Sequence, residues 1–115
     1  SDGALTMPVV LLVSTGTAHA AELFSAALAD NKRATLVGTP TAGLASTQSL
    51  VRLPEGHGML LTTSQYARAD GTPIHTRGLR PDVAVDVPVV PFDEAPPTTD
   101  ATLTKAIETL KALPR

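Results

Sequence analysis

The chain has 115 residues, 43% of them hydrophobic, and a formal net charge of −2, which is the size and polarity of one small globular domain able to bury a core. It has no apolar run of membrane-spanning length and no block of like charge of the kind that tracks nucleic acid or an anionic membrane. It has no cysteine, which excludes a disulfide framework and a thiolate metal site. Aromatic residues make up only 3%, so the core has to come from Val, Leu, Ile and Ala.

Met7 to Val13 is a continuous apolar run, the pattern of a strand buried on both faces of a parallel sheet. Ser14 to Thr17 breaks it. Ala18 to Ala29 is rich in Ala and Leu, and Leu23, Phe24, Ala27 and Leu28 recur at helical spacing. Thr17 is placed to cap this helix, Glu22 to offset the partial charge of its first turns, and Asp30-Asn31 to close it, with Asn31 in the left-handed conformation. Ala34 to Val37 reads as a second strand. Strand, helix and strand together predict a right-handed crossover joining two parallel strands. Gly38 to Gly43 is a loop.

Two more strands are expected at Gln48–Leu53 and Met59–Ser64, joined as a hairpin through residues 54–58. Asp70-Gly71 predicts a second turn between Gln65-Tyr66-Ala67 and Pro73-Ile74-His75. Gly78 to Val83 leads into a last extended piece, in which Asp82 is expected to make a local turn hydrogen bond. Residues 87–99 carry Pro88, Pro91, Pro96 and Pro97 and read as a linker. Asp100 can cap a helix over 100–115, with an apolar stripe of Leu103, Ile107, Leu110 and Leu113 packed on the body of the domain. The fold class is α/β: a mixed sheet with a strand–helix–strand crossover, β-hairpins over residues 47–76 and a terminal helix, organised as a body over residues 1–86, a linker over 87–99 and a helix over 100–115.

Several segments, in order, resemble the tail-specific (C-terminal processing) serine protease family. The first is Pro8 to Val13 running into Thr17-Ala18-His19-Ala20-Ala21-Glu22, where the family has an apolar strand followed by Ser, Ala, a small residue and Glu. The second is Asp30 to Ala34 and then Leu36-Val37-Gly38-Thr39-Pro40-Thr41-Ala42-Gly43, which resembles the family's second strand and its Val-Gly-x-Pro/Thr-Thr-x-Gly loop. Gln48, Leu53-Pro54-Glu55-Gly56, Leu61-Thr62-Thr63 and Tyr66 follow. Asp70-Gly71-Thr72-Pro73-Ile74 and Gly78-Leu79-Arg80-Pro81-Asp82-Val83 complete the match, which covers roughly residues 7–86.

The resemblance implies a Clp-protease/crotonase-like fold, of which this chain is the C-terminal half of the catalytic domain. It also implies a Ser–Lys dyad assisted by a Gln. A neutral Lys takes the proton from Ser as Ser attacks a peptide carbonyl, and the N–H after the Ser helps hold the oxyanion. Carried over by residue, the Ser position is His19 and the oxyanion N–H belongs to Ala20. The Lys position is Leu44, twenty-five residues after His19, and the Gln is Gln48. Leu44 has no proton acceptor, and His19 cannot form an ordinary ester intermediate.

The expectation is therefore a dyad-less relative that binds an extended peptide or a protein C-terminus along a sheet edge near residues 38–50. One alternative is a working hydrolase with His19 as general base and Ser14, Thr15 or Thr17 as nucleophile. Another is an assembly domain that forms homo-oligomers through exposed sheet edges. Lys32 is an unsuitable substitute base, since it follows the far end of a helix roughly 18 Å long. His19, His57 and His75 lack metal-ligand spacing, so no metal or cofactor is expected, and His57 and His75 read as solvated residues. No nucleic-acid partner is expected, and membrane contact is left open. The family implies an extracytoplasmic setting. The start at Ser1 without a signal peptide reads as a piece of a longer protein.

Overall fold

The structure is a computed structural model and describes residues 6–114. Two strands and a helix open the fold: β1 (Val10–Val13), α1 (Ala20–Asp30) and β2 (Thr35–Gly38). β1 and β2 pair in parallel, with Val10 opposite Thr35 and Val13 opposite Gly38. The parallel pairing follows from the length of the connection, since a helical crossover returns the chain in the same direction. β1 is shorter than the apolar run that predicts it, because the bonded ladder begins only at Val10.

The hairpin also forms. β3 (Ser46–Arg52) and β4 (Gly58–Gln65) run antiparallel, joined by a 3-10 turn over Pro54–Gly56. The register slips between Thr47 and Gln48, so Thr47 faces Ser64 while Gln48 faces Thr62. Thr63 is thus the extra residue of a β-bulge on β4. β5 (Val83–Ala84) adds in parallel to β2, giving the order β1-β2-β5. Instead of one mixed sheet, the parallel and antiparallel strands form two separate sheets among the described residues, because β3 and β4 bond only each other there. β2 is paired on both sides, whereas β3 pairs with β4 alone. Of the span 38–50, only the β3 part therefore offers a free edge.

The core is small. Val13, Ala26, Leu36, Ala45, Ile74 and Leu79 form one buried cluster, with Leu11, Ala29 and Tyr66 packed against it. Strand alternation puts Leu36 on the α1 side of the sheet and the fully buried Val37 on the other. The second helix, α2 (Ala101–Ala112), lies against β1 and β2. Asp100 caps it, its carboxylate accepting from the Leu103 N–H at 3.0 Å.

Both helices turn different residues inward from those the apolar periodicity selects. On α1 the buried face is Glu22, Ser25 and Ala26, while Phe24 is 60% exposed. On α2 it is Ala106, flanked by half-buried Thr102, Thr109 and Leu113, while Leu103, Ile107 and Leu110 stand largely outside. Ala26 and Ala106 are the buried hydrophobic residues of the two helices, so short side chains rather than the Leu, Ile and Phe positions meet the sheet. Three local expectations change as well. The N-cap of α1 is His19 rather than Thr17, whose Oγ1 instead accepts from the Ser14 N–H at 3.1 Å. Asn31 keeps φ −84° and the left-handed residue is Lys32, at φ 54°. Asp82 makes a long-range bond rather than a local one, accepting from the Leu36 N–H at 2.8 Å and so tying the approach to β5 back onto β2.

Candidate functional site

The four candidate positions lie on three adjoining pieces of chain. His19 ends the turn after β1, Ala20 begins α1, Leu44 sits in the loop between β2 and β3, and Gln48 is on β3. The apolar β1 run carries the chain to a tight turn in which the Thr17 N–H donates to the Ser14 carbonyl at 2.9 Å. The same turn is closed by hydroxyls: Ser14 Oγ accepts from the Gly16 N–H at 3.2 Å, and Thr17 Oγ1 from Ser14. It delivers His19 with φ 53° and ψ −124°. That is a strained conformation for any residue with a Cβ, costing on the order of 1–3 kcal/mol. It holds the His19 side chain out to solvent at the head of the helix.

The imidazole of His19 has no hydrogen-bond partner among the described residues, so no hydroxyl is paired with it as a base would require. Ala20 follows with its side chain exposed and its N–H unpaired among the described residues, as is common for the first N–H of a helix. An unpaired N–H at a helix N-terminus is suited to hold a developing oxyanion.

The loop carrying Leu44 is fixed to this helix by a residue that sequence reasoning assigns a lesser role. Glu22 is fully buried. Its Oε1 accepts from the Thr41 hydroxyl and from the Gly43 N–H (2.8 Å), and its Oε2 accepts from the Leu44 N–H (2.8 Å). One more bond, from the Ala42 N–H to the Thr17 carbonyl at 2.9 Å, joins the loop to the turn before His19. Glu22 is thus the clamp that sets Leu44 beside the head of α1. A sequence signal for it exists in retrospect: Glu22, Ser25, Ala26 and Ala29 share one helical face, and a carboxylate on a face of small residues has to find buried donors.

The clamp extends to a second turn, over residues 74–79. Thr41 Oγ1, while donating to Glu22, accepts from the Leu79 N–H at 2.7 Å, and the Thr41 N–H donates to the Leu79 carbonyl at 3.0 Å. The Thr76 N–H donates to the Gly43 carbonyl at 2.7 Å. Gly78 makes the approach feasible: it has φ +66°, and a Cβ there would lie 2.5 Å from the Thr41 carbonyl oxygen.

Leu44 itself is 48% exposed, its backbone pinned and its side chain free. Gln48 is exposed and lies at the β-bulge, a common device for aiming a side chain next to a site. Lys32 is at the opposite end of α1 from His19. His57 is exposed in the hairpin turn, but His75 is half-buried, with its Nδ1 shielded and unpartnered. The described residues hold no group of three or more His, Cys, Asp or Glu that could bind a metal ion.

The chain is 38% identical over 109 residues to a carboxyl-terminal-processing protease of Synechocystis sp., a match that covers 95% of this chain and 26% of that protein. It is 37% identical over 84 residues to the carboxy-terminal processing protease CtpA of Bacillus subtilis, covering 73% of this chain and 18% of the relative. Among solved structures, the photosystem II D1 C-terminal processing protease superposes with a TM-score of 0.67 at 38% identity, covering 70% of this chain and 21% of that one. The chain thus spans about a quarter or less of the length of these proteins. Residues 2–85 match the description of peptidase family S41, and the chain belongs to that family.

Proposed function

We propose that this chain carries the nucleophile and base region of a C-terminal processing peptidase fold in which His19 and Leu44 stand at the Ser and Lys positions. The protein that contains it binds extended peptides or protein C-termini without hydrolysing them. The observation that supports this most directly is the clamp. Glu22, Thr41 and Gly43 fix the Leu44 backbone beside the head of α1, with the Ala20 N–H open, while neither side chain can form the dyad. The free edge of β3, running from Ser46 to Arg52, suits the addition of an extended segment through main-chain hydrogen bonds. The parent domain belongs to the crotonase-like architecture in this proposal, and the relatives' names motivate protein C-termini as ligands and a place outside the cytoplasm.

The test is an assay of the full-length protein on unfolded protein substrates, with binding measured in parallel. Binding without turnover is the expected result. Turnover that disappears in His19→Ala overturns the proposal. The double substitution His19→Ser with Leu44→Lys asks whether the rest of the machinery is complete, and activity gained there supports an intact scaffold.

One observation favours a second reading. The strain at His19 is the kind retained at working sites, which suits a hydrolase with His19 as base. A fluorophosphonate probe separates the two readings: labelling at Ser14, Thr15 or Thr17 selects the hydrolase, and an unlabelled, folded protein selects the binder.

A further inference from the structure

Three arginines converge on a cleft that the dyad region does not use. It has a volume of about 480 Å³ and is lined by Arg68, Thr72, Pro73, Arg77, Gly78 and Arg80. No acidic residue is among these. Arg77 and Arg80 are exposed, and neither guanidinium has a hydrogen bond or ion pair among the described residues. Arg68 is held in place. Its Nε and Nη2 both donate to Asp30 Oδ1, which leaves three of the five N–H groups of a guanidinium for another acceptor.

The nearby carboxylates leave the Arg77 and Arg80 guanidiniums unpaired. Asp30 takes one edge of Arg68, and its Oδ2 accepts from the Ala69 N–H at 3.2 Å. Asp70 and Asp82 act on Arg68 through space and each also accepts from a backbone amide, Asp70 from Thr72 at 2.8 Å and Asp82 from Leu36 at 2.8 Å, so the free acceptor capacity of the cleft is set by Arg77 and Arg80 rather than by Arg68. Two free guanidinium forks and the remaining edge of a third match a planar oxyanion. The cleft falls within the roughly 300–1,000 Å³ of ordinary ligand pockets, so it has room for a residue attached to that oxyanion. Pro73 supplies an apolar wall.

The cleft is also rigidly placed. Gly78 and Leu79 lie between Arg77 and Arg80 in sequence, and the turn they form is bonded to Thr41 and Gly43 of the clamped loop. A group held here is therefore in fixed relation to the head of α1.

We propose that this cleft captures the C-terminal carboxylate of a bound peptide, through Arg77 and Arg80 with Arg68 in support. The proposal rests on the reading of the protein as a peptide binder, and the following experiment separates the two. Fluorescence anisotropy on the full-length protein compares three labelled decapeptides of one sequence: a free acid, its C-terminal amide, and an amide whose last residue is Glu. The free acid should bind about tenfold tighter than the amide, the ratio produced by one charge-assisted contact. The preference should fall to about one in Arg77→Ala/Arg80→Ala and persist in Lys111→Ala, which removes an exposed cation from the last turn of α2 instead. It should also weaken between about 50 and 500 mM NaCl.

Equal binding of acid and amide by the wild type overturns the cleft and leaves the peptide reading standing. A preference that survives Arg77→Ala/Arg80→Ala shows the carboxylate is read elsewhere and overturns it too. The Glu-ended amide binding as tightly as the free acid overturns the assignment to a chain terminus. Failure of all three peptides to bind overturns both readings. Far-UV circular dichroism of the variants confirms folding, which these unpartnered surface side chains do not support.

Discussion

Glu22→Gln is the most direct test of how this site is built. The substitution keeps size and shape and removes one acceptor. With the amide oxygen in the place of Oε1, the bonds from Thr41 and Gly43 survive. The NH2 group then faces the Leu44 N–H, donor against donor, at a position where the carboxylate accepts at 2.8 Å. Two buried donors lose their partner, the Leu44 N–H and the new amide. Each stranded donor costs about 1–3 kcal/mol. Leu44 is half-exposed, so water relieves part of this, and a loss of about 2–4 kcal/mol is expected. Urea unfolding should show a lower midpoint at an unchanged slope, and amide exchange should speed up first at Gly43 and Leu44. Glu108→Gln is the control. It removes an exposed i,i+3 pair with Lys105 and should cost less than about 0.5 kcal/mol. If Glu22→Gln costs no more than this control, the buried carboxylate is not what fixes the loop.

Other consequences are as specific. Gly78→Ala should cost more than Gly71→Ala, because both have positive φ but only Gly78 would drive its Cβ onto a carbonyl, whereas Gly71 has open space around it; a thermal-melt comparison showing equal losses would leave strain as the sole cause. His19→Gly should raise stability by about 1 kcal/mol, the relief of strain outweighing the entropy glycine adds to the unfolded chain, and a loss in urea unfolding would mean that the imidazole makes a stabilising contact. The Asp30 carboxyl is held below its ordinary value of 3.8, chiefly by the hydrogen bond from Arg68. A carboxyl with its folded value depressed stabilises above its unfolded value and ceases to do so as pH falls through the folded one. The stability difference between wild type and Asp30→Asn should therefore be full at neutral pH, at under about 1 kcal/mol for this partly exposed pair, and should vanish on acidification; a difference that grows in acid contradicts the ion pair as its source.

How much of this was legible in the sequence depends on how local the cause is. The Val10–Val13 strand, the hairpin around Pro54–Gly56 and the Asp100 cap all follow from neighbours within a few residues, and periodicity and turn chemistry find them. The facing of the helices does not. Leu23, Phe24, Leu103 and Ile107 have the right spacing for a buried stripe, yet Ala26 and Ala106 face in, since spacing along a helix does not say which of its faces meets the sheet. Asp82 and Glu22 were expected to act locally, but their partners are 46 and 19–22 residues away. Carboxylates of this kind look like helix-end or turn residues until the fold brings their donors to them. The half-burial of His75 is equally a product of the turn packed on Gly43. The positions of His19, Ala20, Leu44 and Gln48 could be named from the order of motifs, but not the clamp that unites three of them.

The separation between scaffold and head groups bears on why the one can persist when the other changes. Glu22, Thr41 and the backbone of Gly43 and Leu44 are tied into the folded state through buried hydrogen bonds, so altering them costs stability whatever the protein does. The side chains of His19 and Leu44 are exposed and make no hydrogen bonds among the described residues. Selection for folding alone retains the first set and is indifferent to the second. The clamp is consequently strong support for descent and weak support for activity, and the chemistry of the site has to be argued from the two side chains that folding leaves free. The backbone at His19 is the exception, since its strain lowers stability and folding alone would relax it. A head-of-helix geometry kept against that cost, together with the open N–H of Ala20, is what a site still used for binding a peptide carbonyl would retain.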